Sequence, residues 1–87
     1  MKRILFVCHG NICRSPMAEF VMRHLIREAG LADRVSVTSR ALHTDEIGSD
    51  IHHGTRAELD AHAVPYEKRS AALMTRADYD AYDIIIA

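Results

Sequence analysis

Apolar residues form three short runs along the chain, and their spacing predicts β-strands. They are consecutive in residues 4–7 and 84–86, whereas they alternate with polar residues in 34–38. Consecutive apolar residues are typical of strands buried on both faces of a parallel sheet, and alternation is typical of a strand with one solvent-facing side. We therefore predict strands at residues 4–7, 34–38 and 83–87, of which the first and third are fully buried.

Apolar residues at helical spacing separate the first two strands. They predict a helix over residues 16–29, because proline is favoured in the first helical turn and glycine just after the last one, and Pro16 and Gly30 stand at these places. The predicted inward face of this helix comprises Met17, Phe20, Val21, Leu25 and Ile26.

Two shorter helices are predicted in the second half of the chain. Residues 55–63 form the first, with Leu59 and Ala63 on its inward face. Thr75 and Asp78 have the spacing of a capping box, which opens the second. This order of strands and helices predicts an α/β fold of three layers, a central parallel sheet with helices on both faces. A ligand should bind beyond the carboxyl ends of the strands.

Composition narrows the class of protein further. The chain has 87 residues, two cysteines and a formal net charge of −1. This length suits one small domain, and the interleaved charges argue against a nucleic-acid or membrane-surface partner. No apolar run approaches the roughly 20 residues of a membrane span, and two cysteines are too few for a disulfide scaffold. We expect a single cytoplasmic domain over residues 1–87, with no nucleic-acid or membrane partner.

The candidate chemistry lies between the first strand and the first helix. This segment reads Cys8-His9-Gly10-Asn11-Ile12-Cys13-Arg14-Ser15. Amides of a tight loop above a helix N-terminus bind tetrahedral dianions, and an arginine can hold two oxygens of such an anion. The same positive field is expected to lower the pKa of Cys8 from about 8.5 toward roughly 4–7. A thiolate below a bound phosphate is placed for in-line attack on phosphorus.

Neighbouring residues strengthen this interpretation over a plainer one. Ser15 is close enough in sequence to hydrogen-bond the Cys8 thiolate, and Gly10 and Asn11 tolerate the backbone of a tight loop. In the plainer interpretation Cys8 is a buried core cysteine and Arg14 is a surface residue beside the helix. Cysteine and arginine at this spacing also occur by chance, so the flanking residues carry the argument.

Residues 7–19, VCHGNICRSPMAE, resemble the signature of the low-molecular-weight protein tyrosine phosphatases. Residues 73–87 resemble the segment of that family that leads into its third strand, and residues 46–48, EIG, resemble a bacterial branch of the family. The resemblance implies that Cys8 is the nucleophile, that Arg14 binds phosphate, and that the phosphate loop after the first strand extends to Ser15. It implies hydrolysis of phosphotyrosine through a phosphocysteine intermediate. Phosphotyrosine proteins or small aryl phosphates are the expected substrates, with phosphate or sulfate as inhibitors.

Three alternative functions remain open at the level of sequence. Related arginine phosphatases have threonine in place of Ile12, and related arsenate reductases need further cysteines, of which none follows Cys13. The third alternative is a non-catalytic fragment that binds phosphate or a phosphopeptide. No cofactor is expected, and no spacing among the six histidines matches a zinc site.

Cys13 is a candidate redox partner of Cys8, because it lies five residues away on the same tight loop. Oxidation of a thiolate beside a second cysteine can end in a reversible disulfide rather than in irreversible acids. The plainer interpretation is that Cys13 packs as a small apolar residue below the loop.

The end of the sequence departs from the family pattern. Family domains are longer and carry an Asp-Pro motif whose aspartate is the general acid, but this sequence contains no Asp-Pro pair. We therefore expect the C-terminal part of the fold to be missing and the general acid to be absent from this chain. The third strand would then be an apolar sheet edge that invites self-association.

Overall fold

The computed structural model describes residues 1–10, 14–43 and 47–87. Three strands form one sheet of order β2-β1-β3, in which both pairings are parallel. The strands are β1 (Lys2–Cys8), β2 (Val35–Ala41) and β3 (Ile84–Ile86). The register aligns Cys8 with Ala41, so the carboxyl ends of β1 and β2 meet at the same edge of the sheet.

The helices are α1 (Arg14–Glu28), α2 (His53–Ala61) and α3 (Arg76–Ala81). On β2, Ser39 donates a hydrogen bond to Glu19 of α1, whereas the adjacent Arg40 lies 3.4 Å from the carboxylate of Asp78 in α3. Adjacent residues of a strand point to opposite faces, so α1 and α3 lie on opposite faces of the sheet. The predicted three-layer α/β fold is confirmed. No helix among the described residues is long and apolar enough to cross a bilayer.

The bounds of several elements differ from those predicted. Helix α1 begins at Arg14 rather than at Pro16, so Ser15 lies inside its first turn. Strand β2 extends three residues beyond the predicted end at Thr38, because it follows β1 as far as Cys8. The capping box that opens α3 is present, with Thr75 and Asp78 each bonded to the backbone of the other.

Two predictions of burial are wrong. In β1 only Leu5 and Val7 are buried, since α1 covers part of one sheet face and leaves Ile4 and Phe6 half-exposed. In β3 the side chains of Ile84 and Ile86 are 43% and 42% exposed, because this strand is the last in the described sheet.

Exposure also corrects the inward faces predicted for two helices. Val21 and Leu25 are 36% and 55% exposed, so the buried stripe of α1 is narrower than its apolar pattern. Ala63 is exposed and has φ of 55°, and it follows the end of α2 instead of packing inside. Leu59, the other predicted inward residue, is buried as expected.

The core between α1 and α2 holds the first helix in place. Phe20 of α1 packs with Ile51 and Leu59, and all three are at most 3% exposed. The ring of Tyr66 meets the ring of Phe20 edge to face, at 6.3 Å between centroids. This packing fixes the middle of α1, and so the N-terminal turn of α1 is held beside the carboxyl end of β1.

Candidate active site

The candidate site lies where β1 and β2 end and α1 begins. Backbone hydrogen bonds continue to join the two segments beyond the ends of β1 and β2. The amide of Leu42 donates to the Cys8 carbonyl at 2.9 Å, and the amide of His43 donates to the His9 carbonyl at 3.0 Å. The residues after each strand are therefore held side by side. This edge is where a ligand is expected in an open parallel sheet.

A cavity of about 430 Å³ opens at this edge. Its polar lining residues are Cys8, His9, Arg14 and Ser15. Its apolar lining residues are Phe6, Val7, Ala18, Leu42, Ile86 and Ala87. The cavity therefore offers ligands for an anion together with apolar surface. The sequence pattern pointed to the polar lining, but the apolar lining depends on long-range packing and was not predicted.

Cys8 and Ser15 form the closest polar contact described inside this cavity. The Sγ atom of Cys8 lies 3.0 Å from the Oγ atom of Ser15, and either group can donate the proton. Ser15 is 3% exposed and Cys8 is half-buried. A hydroxyl that donates to sulfur in a place with little water stabilises the thiolate form. The contact expected from the sequence is thus present, although Ser15 serves it from within α1.

The other predicted loop residues are Gly10, Asn11, Ile12 and Cys13. Gly10 is buried and is not part of the described cavity lining. Asn11, Ile12 and Cys13 lie outside the described residues. Their expected roles in phosphate binding, and that of Cys13 as a redox partner, remain predictions.

A buried carboxylate outside the described cavity lining was not predicted from the sequence. Glu19 is 4% exposed, accepts a hydrogen bond from Ser39 of β2 and forms an ion pair with Arg23 one turn along α1. A buried charge needs such partners to offset the loss of water. The contact ties the first half of α1 to strand β2. A glutamate in an otherwise apolar helix face was the only signal in the sequence.

A second polar cluster lies away from the cavity and joins loops. One oxygen of Asp50 accepts hydrogen bonds from the amides of Ile51 and Arg69 at 2.7 and 3.0 Å. These two bonds, that from Arg69 first, hold the pKa of Asp50 below its usual value. Burial lowers the pKa of the Arg69 guanidinium. The cluster fixes the chain before α2 to the segment between α2 and α3.

The histidines do not form a described metal centre. His52 and His53 stack on each other at 4.3 Å, and His52 accepts a bond from the Gly54 amide at the start of α2. Within residues 1–10, 14–43 and 47–87, no group of three or more His, Cys, Asp or Glu side chains is arranged to hold a metal ion.

Comparison with known proteins identifies the family to which this fold and site correspond. The family model of the low molecular weight phosphotyrosine protein phosphatases matches residues 3–87. Low molecular weight protein-tyrosine-phosphatase YfkJ of Bacillus subtilis is 38% identical over 87 residues, and PtpA of Staphylococcus epidermidis is 40% identical over the same length. In both, the match covers 100% of this chain, with 56% and 54% of the relative.

Solved structures agree with the sequence comparison. The chain superposes on SP-PTP, a low molecular weight protein tyrosine phosphatase from Streptococcus pyogenes, with a TM-score of 0.90 and 40% identity. It superposes on YfkJ from Bacillus subtilis with a TM-score of 0.94 and 36% identity. Each match covers 98% of this chain and 55% or 54% of the other. The chain thus spans about 55% of the length of the relatives it matches.

Proposed function

The chain belongs to the low molecular weight phosphotyrosine protein phosphatase family, and we propose on this basis that it hydrolyses aryl phosphomonoesters, phosphotyrosine among them, through a phosphocysteine on Cys8. One observation carries the proposal. The Cys8 sulfur, held 3.0 Å from the Ser15 hydroxyl, lines the same cavity as the cationic side chain of Arg14. A nucleophile, a group that stabilises it and an anion ligand therefore face one volume.

The proposed reaction has two steps. In the first, the Cys8 thiolate attacks phosphorus, and the S–P bond forms while the bond from phosphorus to the aryl oxygen breaks. The electron pair leaves on the aryl oxygen, which takes up a proton. In the second, water attacks phosphorus and the S–P bond breaks, so that inorganic phosphate leaves and the thiolate is restored.

Arg14 and Ser15 have different roles in this proposal. Arg14, the first residue of α1, is exposed at the cavity, where a planar guanidinium can hold two phosphate oxygens. The amides at the start of α1 add positive potential at the same place. Ser15 donates to the Cys8 sulfur and keeps it ionised. Free phosphate and sulfate should compete for the same ligands as the substrate.

These residues do not supply the proton that the leaving aryl oxygen takes up. No Asp-Pro pair occurs in the 87 residues, and the described lining of the cavity contains no carboxylate. A general acid raises the reaction rate about 10²–10⁴-fold. Tyrosine, whose side chain has a pKa near 10, is a poor leaving group without one. We propose that this chain turns over an activated aryl ester far better than phosphotyrosine.

Oxidation offers a means of regulation in the same proposal. We propose that a disulfide between Cys8 and Cys13 protects the nucleophile from irreversible oxidation and is reopened by a thiol reductant. A cytoplasmic setting fits this chemistry, since thiols there are kept reduced.

Turnover of two substrates tests the proposed function. The chain should hydrolyse p-nitrophenyl phosphate, whose leaving group is activated, and act weakly on a phosphotyrosine peptide. Cys8→Ser should abolish both activities while phosphate still binds, because the substitution removes the nucleophile and leaves Arg14. Inorganic phosphate should inhibit competitively.

Other results would lead to a different account. Equal rates on both substrates would mean that a residue of this chain supplies the proton. Phosphate binding without any turnover would favour a non-catalytic phosphate-binding protein. Turnover that survives Cys8→Ser would contradict the role of Cys8.

A further inference from the structure

Two histidine rings lie against each other beside the candidate active site. The imidazoles of His9 and His43 stack with 4.2 Å between centroids and 23° between planes. Both residues are exposed. His9 is the residue after Cys8 and lines the cavity, whereas His43 meets the cavity through the ring of His9. The pair thus joins the segment after β2 to the lining of the cavity that holds the nucleophile.

The backbone holds this pair in register. The His43 amide donates to the His9 carbonyl at 3.0 Å, directly after the bond from Leu42 to Cys8. His9 lies one residue beyond the end of β1 and His43 two residues beyond the end of β2, and this backbone bond keeps the two residues side by side. A shared ring face leaves the His9 imidazole fewer orientations than a lone exposed side chain would have.

The stack is poorly suited to binding a metal ion. Imidazole nitrogens bind a metal in the plane of the ring. Two rings that lie nearly parallel at 4.2 Å direct their lone pairs side by side rather than toward one point. No third ligand joins them in the part of the chain that the structure describes. A surface that orders a flat ring is the better match to this geometry.

We propose that His43 is a positioning residue for the aryl group of the substrate: it holds the His9 imidazole as a flat wall of the cavity that Cys8 also lines. This inference rests on the proposed function. The phosphate is held by Arg14 and the loop, and the aryl ring that it carries must lie along a wall of the cavity. His9 offers an aromatic face there, and Phe6 and Leu42 add apolar surface to the lining of the same cavity. Aromatic pairs gain about 0.5–1.5 kcal/mol beyond burial, a factor of about two to twelve in affinity.

The test compares three anions that share one phosphate site. Phenylphosphonate carries an aryl group, cyclohexylphosphonate carries a non-aromatic ring of similar size, and inorganic phosphate carries neither. Each is measured as a competitive inhibitor and by direct calorimetric binding to the 87-residue chain. His43→Ala removes the stacked ring, and His43→Phe restores an aromatic face at the same position.

We expect His43→Ala to weaken the binding of phenylphosphonate about three- to tenfold, with little change in the binding of the other two anions. KM for p-nitrophenyl phosphate should rise by a similar factor at unchanged kcat, because Cys8 and Arg14 are untouched. His43→Phe should restore both values. Inorganic phosphate serves as the control for an intact loop.

Three results would overturn the inference. The first is an equal loss of affinity for all three anions in His43→Ala, which would mean that the stack only supports the loop. The second is an unchanged affinity for phenylphosphonate in His43→Ala. The third is a failure of His43→Phe to restore that affinity. Failure of the proposed function looks different, because the unaltered chain would then bind phosphate without turnover or fail to bind it at all.

Discussion

At the scale of single residues, Ser15 and Cys8 determine whether the site has a nucleophile. The hydroxyl is 3.0 Å from the sulfur, and Ser15 is almost fully buried. Water can therefore do little to replace the hydroxyl as a donor. A hydrogen bond to a charged group contributes about 1.5–3 kcal/mol, and its loss raises the free energy of the thiolate relative to the thiol.

Ser15→Ala should lower kcat for p-nitrophenyl phosphate about tenfold or more at neutral pH. Part of the loss should return as the pH rises, because more alkaline solution ionises the less stabilised thiol. The measurement is a pH–rate profile, whose acid limb should move to higher pH. Ser36→Ala, a serine of β2 at the opposite end of the sheet, is the matched control and should leave the profile unchanged. An unshifted acid limb in Ser15→Ala would count against this role.

Residue chemistry near the nucleophile was the part of the site that the sequence predicted best. The order of strand, tight loop and helix already places Cys8, Arg14 and Ser15 at one edge of the sheet, and the cavity contains all three. The stack of His9 on His43 depends on the register between two strands separated by a helix. Nothing in the local pattern specifies that register, so the stack emerged only from the structure.

At the scale of elements, a buried polar contact adds to the apolar core in holding α1 against β2. Glu19 bonds Ser39 of β2 and pairs with Arg23, whose side chain also reaches Glu67 at 3.4 Å. The two glutamates differ in burial, because the side chain of Glu19 is 5% exposed and that of Glu67 is 75% exposed. They form a matched pair for mutation.

Glu19→Ala should lower the free energy of unfolding by about 2–4 kcal/mol, since it leaves a buried serine hydroxyl without its acceptor and removes the partner of Arg23. Glu67→Ala should cost less than about 1 kcal/mol, as is usual for exposed ion pairs. Urea unfolding of the two variants beside the unaltered chain measures both values. Equal losses in the two variants would show that Glu19 is not the link between α1 and the sheet.

The elements themselves were predicted well, and their exposure was not. Every predicted helix and strand is present within a few residues, because caps, glycine and periodicity are local signals. Burial depends on what packs against each face. Leu25 falls on the apolar stripe of α1, yet it is 55% exposed because no described element covers that side of the helix.

At the scale of the whole molecule, an apolar surface extends from α1 to the edge of the sheet. Ile84 and Ile86 pair in register with Ile4 and Phe6, so all four point to the same face of the sheet. Phe6 and Ile86 share the cavity with Ala18 of α1. The backbone of β3 has no partner on its outer side among the described strands. An apolar edge of this kind favours pairing with another chain.

We expect the 87-residue chain to self-associate as its concentration rises, and Ile84→Lys to reduce this association because a charge on an edge strand opposes pairing. Sedimentation velocity over a range of concentrations measures it. Leu31→Lys changes a similarly exposed apolar residue, 38% against 43%, in the turn after α1 and is the control. A monomer at every concentration, with cooperative unfolding, would contradict the expectation.

The central claim is that Cys8 carries phosphate during the reaction. It is tested most directly by stopping turnover of p-nitrophenyl phosphate with acid within the first cycle, digesting the chain and locating the modified residue by mass spectrometry. The account predicts a single phosphoryl group on the Cys8 sulfur, none on Cys13, and none anywhere in Cys8→Ser. A phosphoryl group on another residue, or turnover with no phosphoenzyme under conditions that trap it in a known relative, would contradict the account.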